Sequence, residues 1–419
     1  LEVTIIRLKK IRISGFKALE RVTFSVPRDL LLLIGMNGSG KSSTLQALGL
    51  IREFIRGEPD EFFSKRNWIT KDVKSKLPAT LNTFRVDLLF ESSTHGSIVW
   101  QFSWGWNTKT NLHEIIWVAK PEGDSLIKVF EFKKERLDAP TYRDLSLAGV
   151  ELKGSVLPLI VGNNSNDEVS SKEILNSVFE WGNGITSLEL LSPSAMRKRA
   201  LSPYADIGAH GEHLASFISQ LDAEAQNRIV MRLSEFYPLE RLETLRRRSR
   251  SVDLRITESF DGLGSINRTQ FSDGFLRLLA LCAIPEFPKS VSLILLDEVE
   301  DGIDPHILPH FIKQITSESS SQFVMTSHSP LLVNFVEADE VAFLGRLRDG
   351  RVAAVPFQSF DSVKTGLEYF GSGEIWAMMG REQLDEALAE HVELEPQFDF
   401  SRYSNRYTPR AVRNFIRSA

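Results

Sequence analysis

Gly35-Met36-Asn37-Gly38-Ser39-Gly40-Lys41-Ser42 has the residue types and spacing of a loop that wraps a polyphosphate. The glycines let backbone N–H groups turn inward, and the positive end of a following helix would face the anion. Lys41 is placed to reach the terminal phosphates, and the Ser42 hydroxyl to ligate Mg²⁺. Gly35, Asn37, Gly38, Ser39, Gly40, Lys41, Ser42 and Ser43 are therefore the candidate nucleotide-binding residues, with a nucleotide polyphosphate and Mg²⁺ as the implied ligands. The alternative is a glycine-rich turn that binds nothing. The apolar run Leu30–Ile34 before the loop and the helix-like Ser43–Leu48 after it argue against that.

Further along, Val291–Glu298 is an apolar run ending in two carboxylates, as expected of a strand buried on both faces of a parallel sheet. Asp297 would hold Mg²⁺ through water, and Glu298 would polarise an attacking water. Between the two motifs, Ser272-Asp273-Gly274 opens an apolar helix and leaves a hydroxyl and free N–H groups at its start. His328 stands where the strand Gln322–Thr326 gives way to a polar turn, and it can donate to a γ-phosphate oxygen. Alone, these last two features would be a helix cap and a strand-end histidine.

Several elements must position these residues. Ile5–Ile13, Val22–Val26 and Leu30–Ile34 alternate as strands, and a helix is expected from about Lys41 to Ile55. Residues 56–80 are polar and broken, with loop signals at Gly57-Glu58-Pro59 and Leu77-Pro78. A strand-rich block over about 82–160 includes Val86–Phe90, Ile98–Phe102 and Glu114–Val118. Its Trp100, Trp104, Trp106 and Trp117 suit either a stacking platform or sheet packing. The expected segments are 1–80, 81–165 (strand-rich insertion), 166–238 (helical or mixed), 239–358 (second lobe) and 359–419 (tail).

The 419 residues suffice for one large domain with insertions, or two. A net charge of −5 confines any nucleic-acid contact to local patches. The single cysteine, Cys282, lies in an apolar run and reads as a core thiol. No apolar stretch is long enough to suggest a membrane span, and no signal-peptide pattern is present, so the cytoplasm is the expected compartment.

The order of phosphate loop, Ser-x-Gly helix, Asp-Glu strand and histidine turn is that of ABC-type ATPases. The chain resembles the branch containing SMC, RecF and OLD-type proteins, and looks closest to compact AAA family ATPases of prokaryotic anti-phage systems. Ile11-Arg12-Ile13-Ser14-Gly15-Phe16-Lys17 resembles that branch's first strand and turn. The likeness is close over about 1–50 and 265–345 and loose between. It implies an α/β P-loop NTPase of the ABC-ATPase (RecF/SMC head) type, with an antiparallel β insertion and a helical subdomain. It also implies a homodimer closed by ATP, in which Ser272 and Gly274 of one head contact the γ-phosphate held by the other.

By the same resemblance Asp304 would lie at the seam, Arg277 near it, and His328 would be the switch histidine. Lys41, Glu298 and His328 form the implied catalytic set, and Ser42 and Asp297 the metal set. The implied output is a switch that senses DNA or phage and controls a partner effector, a nuclease or toxin encoded nearby. A RecF-like repair ATPase and a slowly hydrolysing scaffold are the alternatives.

Asp273 departs from the family pattern, which has glycine there, and its charge could weaken the trans phosphate contact. The Q-loop glutamine has no assigned position, Gln101 being a weak guess. The middle of the chain shows no heptads, so long coiled-coil arms are not expected. The Toprim acids of OLD nucleases are not found after residue 330, which would put any nuclease on a separate chain.

Arg246-Arg247-Arg248-Ser249-Arg250 and Arg197-Lys198-Arg199 could track a phosphate backbone or form solvated faces. Arg402, Arg406, Arg410, Arg413 and Arg417 fit a frayed tail or a docking segment equally well. His306 and His310 lack an evident third metal ligand. His210 and His213 read as a glycine-bounded helix start and are a marginal candidate for the site.

Overall fold

The computed structural model describes residues 5–77, 82–120, 125–139, 145–161, 169–188, 191–198, 200–201, 206–246, 251–262, 264–366, 369–394 and 408–417. The strand Leu30–Ile34 is buried along its whole length. Successive strand side chains point to opposite faces. Leu30, Leu32 and Ile34 accordingly enter one hydrophobic core, and Leu31 and Leu33 enter another. The strand Leu293–Leu296 divides in the same way, with Ile294 and Leu296 in the first core and Leu293 and Leu295 in the second. A sheet covered on both sides therefore accounts for the continuous apolar runs in the sequence.

That sheet has six strands, ordered Ile185–Ser187, Leu293–Leu296, Gln322–Thr326, Leu30–Ile34, Val341–Arg346 and Val352–Pro356. Neighbours are parallel except for the last pair. Three adjacent central strands thus deliver Asp297, Ser327 and Gly35 to one edge, the carboxyl-end edge where ligands bind in open α/β sheets.

The helix Lys41–Arg56 follows the glycine loop and buries Leu45, Leu48 and Phe54 in the second core. It stops at Gly57, whose φ of 81° reverses the backbone. Where the sequence looked broken, Pro59 and the acids Asp60 and Glu61 start a short helix, Pro59–Lys65, and another spans Thr70–Val73. Pro78 lies outside the described residues.

An eight-stranded sheet covers this side. It contains Thr83–Ser92, Gly96–Gly105 and Asn111–Ala119, as expected, but continues into Ile6–Ser14 and Val22–Ser25. The expected boundary at 80/81 therefore runs through a continuous sheet. Trp100, Trp104 and Trp106 are buried on its inner face against Phe54, Phe84 and Phe102, so these three pack the core. Buried Gln322 ties the two sheets together, accepting from Leu8 N at 2.7 Å and donating to Leu8 O at 3.0 Å.

The other side carries the helices Leu214–Gln220, Ala223–Ser234, Asp273–Cys282 and Leu308–Glu318, with a small sheet built on Leu239–Arg246 and Ser251–Glu258. Arg232 links three of these helices. It pairs with Glu318 at 2.5 Å and Glu286 at 2.6 Å, and it donates to Cys282 O at 3.0 Å. No helix among the described residues is long and apolar enough to cross a membrane.

Candidate functional site

The glycine loop leaves the end of Leu30–Ile34 and enters its helix through Gly40, whose φ of 104° is left-handed. A Cβ there would come within 2.7 Å of Val352, so only glycine fits. The helix start has no side-chain cap, which leaves its first N–H groups for an anion. Met36, Asn37 and Gly38 are exposed, whereas Ser39 and Lys41 are buried. The Ser39 hydroxyl has no protein partner among the described residues, as suits a group whose acceptor is a ligand.

Lys41 Nζ donates to Gly35 O at 2.8 Å and Met36 O at 3.2 Å, so the cation is already held inside the loop. Burial pushes the Lys41 ammonium below the usual lysine range, while Asp297, Glu298 and Glu300 oppose that shift.

Those acids are held by the neighbouring strand end. The Thr326 hydroxyl donates to Asp297 Oδ1 at 2.5 Å and accepts from Glu298 N at 2.8 Å. Glu298 has a φ of 46°, a left-handed backbone that costs a non-glycine residue about 1–2 kcal/mol. Its side chain is exposed at the edge. Glu300 Oε1 accepts from His328 N at 2.5 Å and so fixes the histidine turn to the acidic loop. Neither Thr326 nor Glu300 was singled out from sequence, because both act through partners 28 or 29 residues away.

The hard oxygen donors Ser42 and Asp297 suit Mg²⁺, which favours one or two protein ligands with the remainder from water and phosphate. Asp297 Oδ2 carries no protein hydrogen bond among the described residues, so the donor set fits that ion.

The Ser-x-Gly turn lies across the acidic loop. Ser272 caps the helix Asp273–Cys282, its Oγ accepting from Phe275 N at 3.1 Å. A Cβ on Gly274 would lie 2.6 Å from Gly302 O, so glycine allows the turn to sit directly on the loop after Glu298. Arg277 and Asp301 reinforce this contact at 2.5 Å. Asp304 is exposed and accepts from His306 N at 2.9 Å. No hydrogen bond or ion pair joins Ser272 or Gly274 to residues 35–43 among the described residues. Within one chain, then, Lys41, Asp297, Glu298 and the His328 turn come together, and the Ser272 turn packs on the acidic loop with no hydrogen bond to the glycine loop among the described residues.

A family model described as "AAA domain, putative AbiEii toxin, Type IV TA system" matches residues 30–334. The chain belongs to this AAA-domain family. Among solved structures, the SMC head bound to the C-terminal winged-helix domain of ScpA aligns with a TM-score of 0.53 at 13% identity, covering 83% of this chain and 97% of that one. The SMC head domain from Thermotoga maritima aligns at 14% identity with a TM-score of 0.43, covering 84% and 98%. The first likeness shows that the AAA-domain chain has the SMC-head fold, a P-loop ABC-ATPase architecture, and it shows nothing further. No curated protein matches the sequence.

Several of the weaker sequence candidates have their own places in the fold. Gln101 donates to Asp87 at 3.1 Å within the large sheet. His310 packs edge-on to Phe335, and no metal-binding group of three His, Cys, Asp or Glu occurs among the described residues. His213 precedes the helix Leu214–Gln220, and Glu212 accepts from His210 N at 2.8 Å. Cys282 is buried, and burial pushes its thiol pKa well up. Arg246 donates to Ser219 O at 2.9 Å, while Arg199, Arg247, Arg248, Arg250, Arg402 and Arg406 lie outside the described residues.

Proposed function

We propose that this AAA-domain chain binds and hydrolyses ATP with Mg²⁺, closing as a homodimer around two nucleotides. The observation that carries the proposal is the convergence of Lys41, Asp297, Glu298 and the His328 turn at one edge of three adjacent parallel strands. The glycine loop and Lys41 would hold the phosphates, with Ser42 and Asp297 holding the metal. Mg²⁺, when bound, supplies charge neutralisation across the phosphates. Glu298 would orient the attacking water, and His328 would donate to the γ-phosphoryl oxygens. The water oxygen would bond to the γ-phosphorus as the bond from that phosphorus to the β,γ-bridging oxygen breaks, giving ADP and inorganic phosphate, with the proton from water released to the phosphate or solvent. Such catalysis is mainly positioning and electrostatics.

The exposure of Ser272, and the absence among the described residues of any hydrogen bond from it to residues 35–43, support a second head as the donor of Ser272, Gly274 and Asp304. The family description names a toxin and a type IV toxin–antitoxin system, which supports pairing this ATPase with an effector. The full reading is a DNA- or phage-sensing switch that controls that effector in anti-phage defence.

Steady-state ATP hydrolysis, alone and with single- and double-stranded DNA, tests the proposal. Lys41→Ala is expected to lower turnover by on the order of 10²-fold or more. Glu298→Gln is expected to accumulate an ATP-bound dimer in sedimentation runs. A Glu298→Gln chain that stays monomeric with ATP would refute the two-head mechanism. Negligible wild-type turnover with ATP binding retained would favour the scaffold alternative instead.

A further inference from the structure

We propose that Arg197 is a positioning residue of the Ser272 turn, supplying the charge that lets an aspartate stand beside a phosphate. This inference rests on the two-head reading above. The Asp273 side chain is 69% exposed at the start of its helix, next to Ser272. In a closed dimer a bare carboxylate there would face the γ-phosphate of the opposite head, and like charges at that spacing repel.

Arg197 removes the conflict. Its Nη2 lies 2.5 Å from Asp273 Oδ1 and 2.6 Å from Phe271 O. One nitrogen therefore clamps the residues on both sides of Ser272, cancelling the charge and fixing the carbonyl before the turn.

The guanidinium is anchored from outside the turn. Arg197 ends the short helix Pro193–Met196, its N–H donating to Pro193 O at 3.0 Å. Met196 is buried in the same core as the helix Asp273–Cys282. A surface ion pair of this kind adds little to stability. What the pair changes is the electrostatic potential at the turn, and potentials of this kind govern whether charged surfaces associate. The departure from glycine at 273 is thus matched by a compensating residue 76 positions earlier.

A double-mutant cycle on the full chain tests this, comparing wild type, Arg197→Ala, Asp273→Gly, and Arg197→Ala combined with Asp273→Gly. Turnover is measured at about 50 and about 500 mM KCl, conditions that differ severalfold in screening length. Arg197→Ala is expected to lose roughly tenfold in turnover at low salt and to regain much of it at high salt. Adding Asp273→Gly is expected to recover most of the loss. The same four chains in a Glu298→Gln background should show the matching order of ATP-dependent dimerisation. An Arg197→Ala deficit that ignores salt and persists in the double variant overturns the charge-balancing role, as does wild-type behaviour of Arg197→Ala. A wild-type chain with neither turnover nor an ATP-dependent dimer overturns the two-head reading, and this inference with it.

Discussion

One hydroxyl sets the geometry of both acids at the strand end. Thr326 is fully buried, and its Oγ1 serves Asp297 on one side and Glu298 N on the other. The left-handed backbone at Glu298 persists because that N–H is held. Thr326→Val keeps the branched shape but removes both bonds. An orphaned buried group costs about 1–3 kcal/mol, so urea unfolding should show a loss of that size. With Glu298 released, turnover should fall roughly 10- to 100-fold, while Thr326→Ser should keep most of it. Wild-type kinetics in the Thr326→Val variant would mean that the hydroxyl plays no part in placing the acids.

At the scale of elements, a buried carboxylate fastens the large sheet to Ser155 and Val156, and Ser155 N in turn donates to Phe54 O of the glycine-loop helix at 2.8 Å. Glu114 is fully buried and accepts from Trp100 Nε1 at 2.8 Å, Ser155 Oγ at 2.5 Å, Asn111 Nδ2 at 2.9 Å and Val156 N at 2.8 Å. Burial pushes its carboxyl above the usual range, and these donors pull it back. Glu114→Gln is nearly isosteric but must set an amide NH₂ against donors. It should destabilise the chain by about 2–5 kcal/mol in equilibrium denaturation, more than a surface glutamate change would. A cost below about 0.5 kcal/mol would show that the donors are satisfied elsewhere. Elements differed in how well the sequence announced them. The helix expected at about 41–55 is Lys41–Arg56, and the strands Leu30–Ile34 and Leu293–Leu296 were plain because both their faces are buried. Ile185–Ser187 was missed because three residues carry no period, and its place is set by pairing with Leu293–Leu295. The glycine loop and the Asp-Glu pair were legible because their chemistry is local. Thr326, Glu300 and the Arg197–Asp273 pair were not, since each matters only through a partner distant in sequence.

Across the whole molecule, two cores flank the parallel sheet and a third, small cluster lies on the outer face of the large sheet. There the helix Pro409–Arg417 lays Val412 and Phe415 on Leu89, Val99, Ile115 and Trp117, so this part of the tail is a docked segment. Arg12 and Lys10 stand 4.4 and 5.4 Å from the centre of the Phe415 ring. Arg410 and Arg413 face solvent. A helix this short does not persist alone in water, so its order depends on docking. Burying one phenylalanine contributes about 1.5–3 kcal/mol and a cation over its face about 0.5–2. Those sums are smaller than a typical global stability of about 5–15 kcal/mol, which makes the helix a unit that can open on its own. Phe415→Ala should therefore undock it without unfolding the rest. Trypsin should cut faster at Arg410 and Arg413, and the emission attributable to Trp117, now 8% exposed, should shift to the red. The main melting transition should move by less than about 2 °C. A large drop in that transition would instead make the helix part of the global fold, and unchanged proteolysis would show that Phe415 is not what holds it.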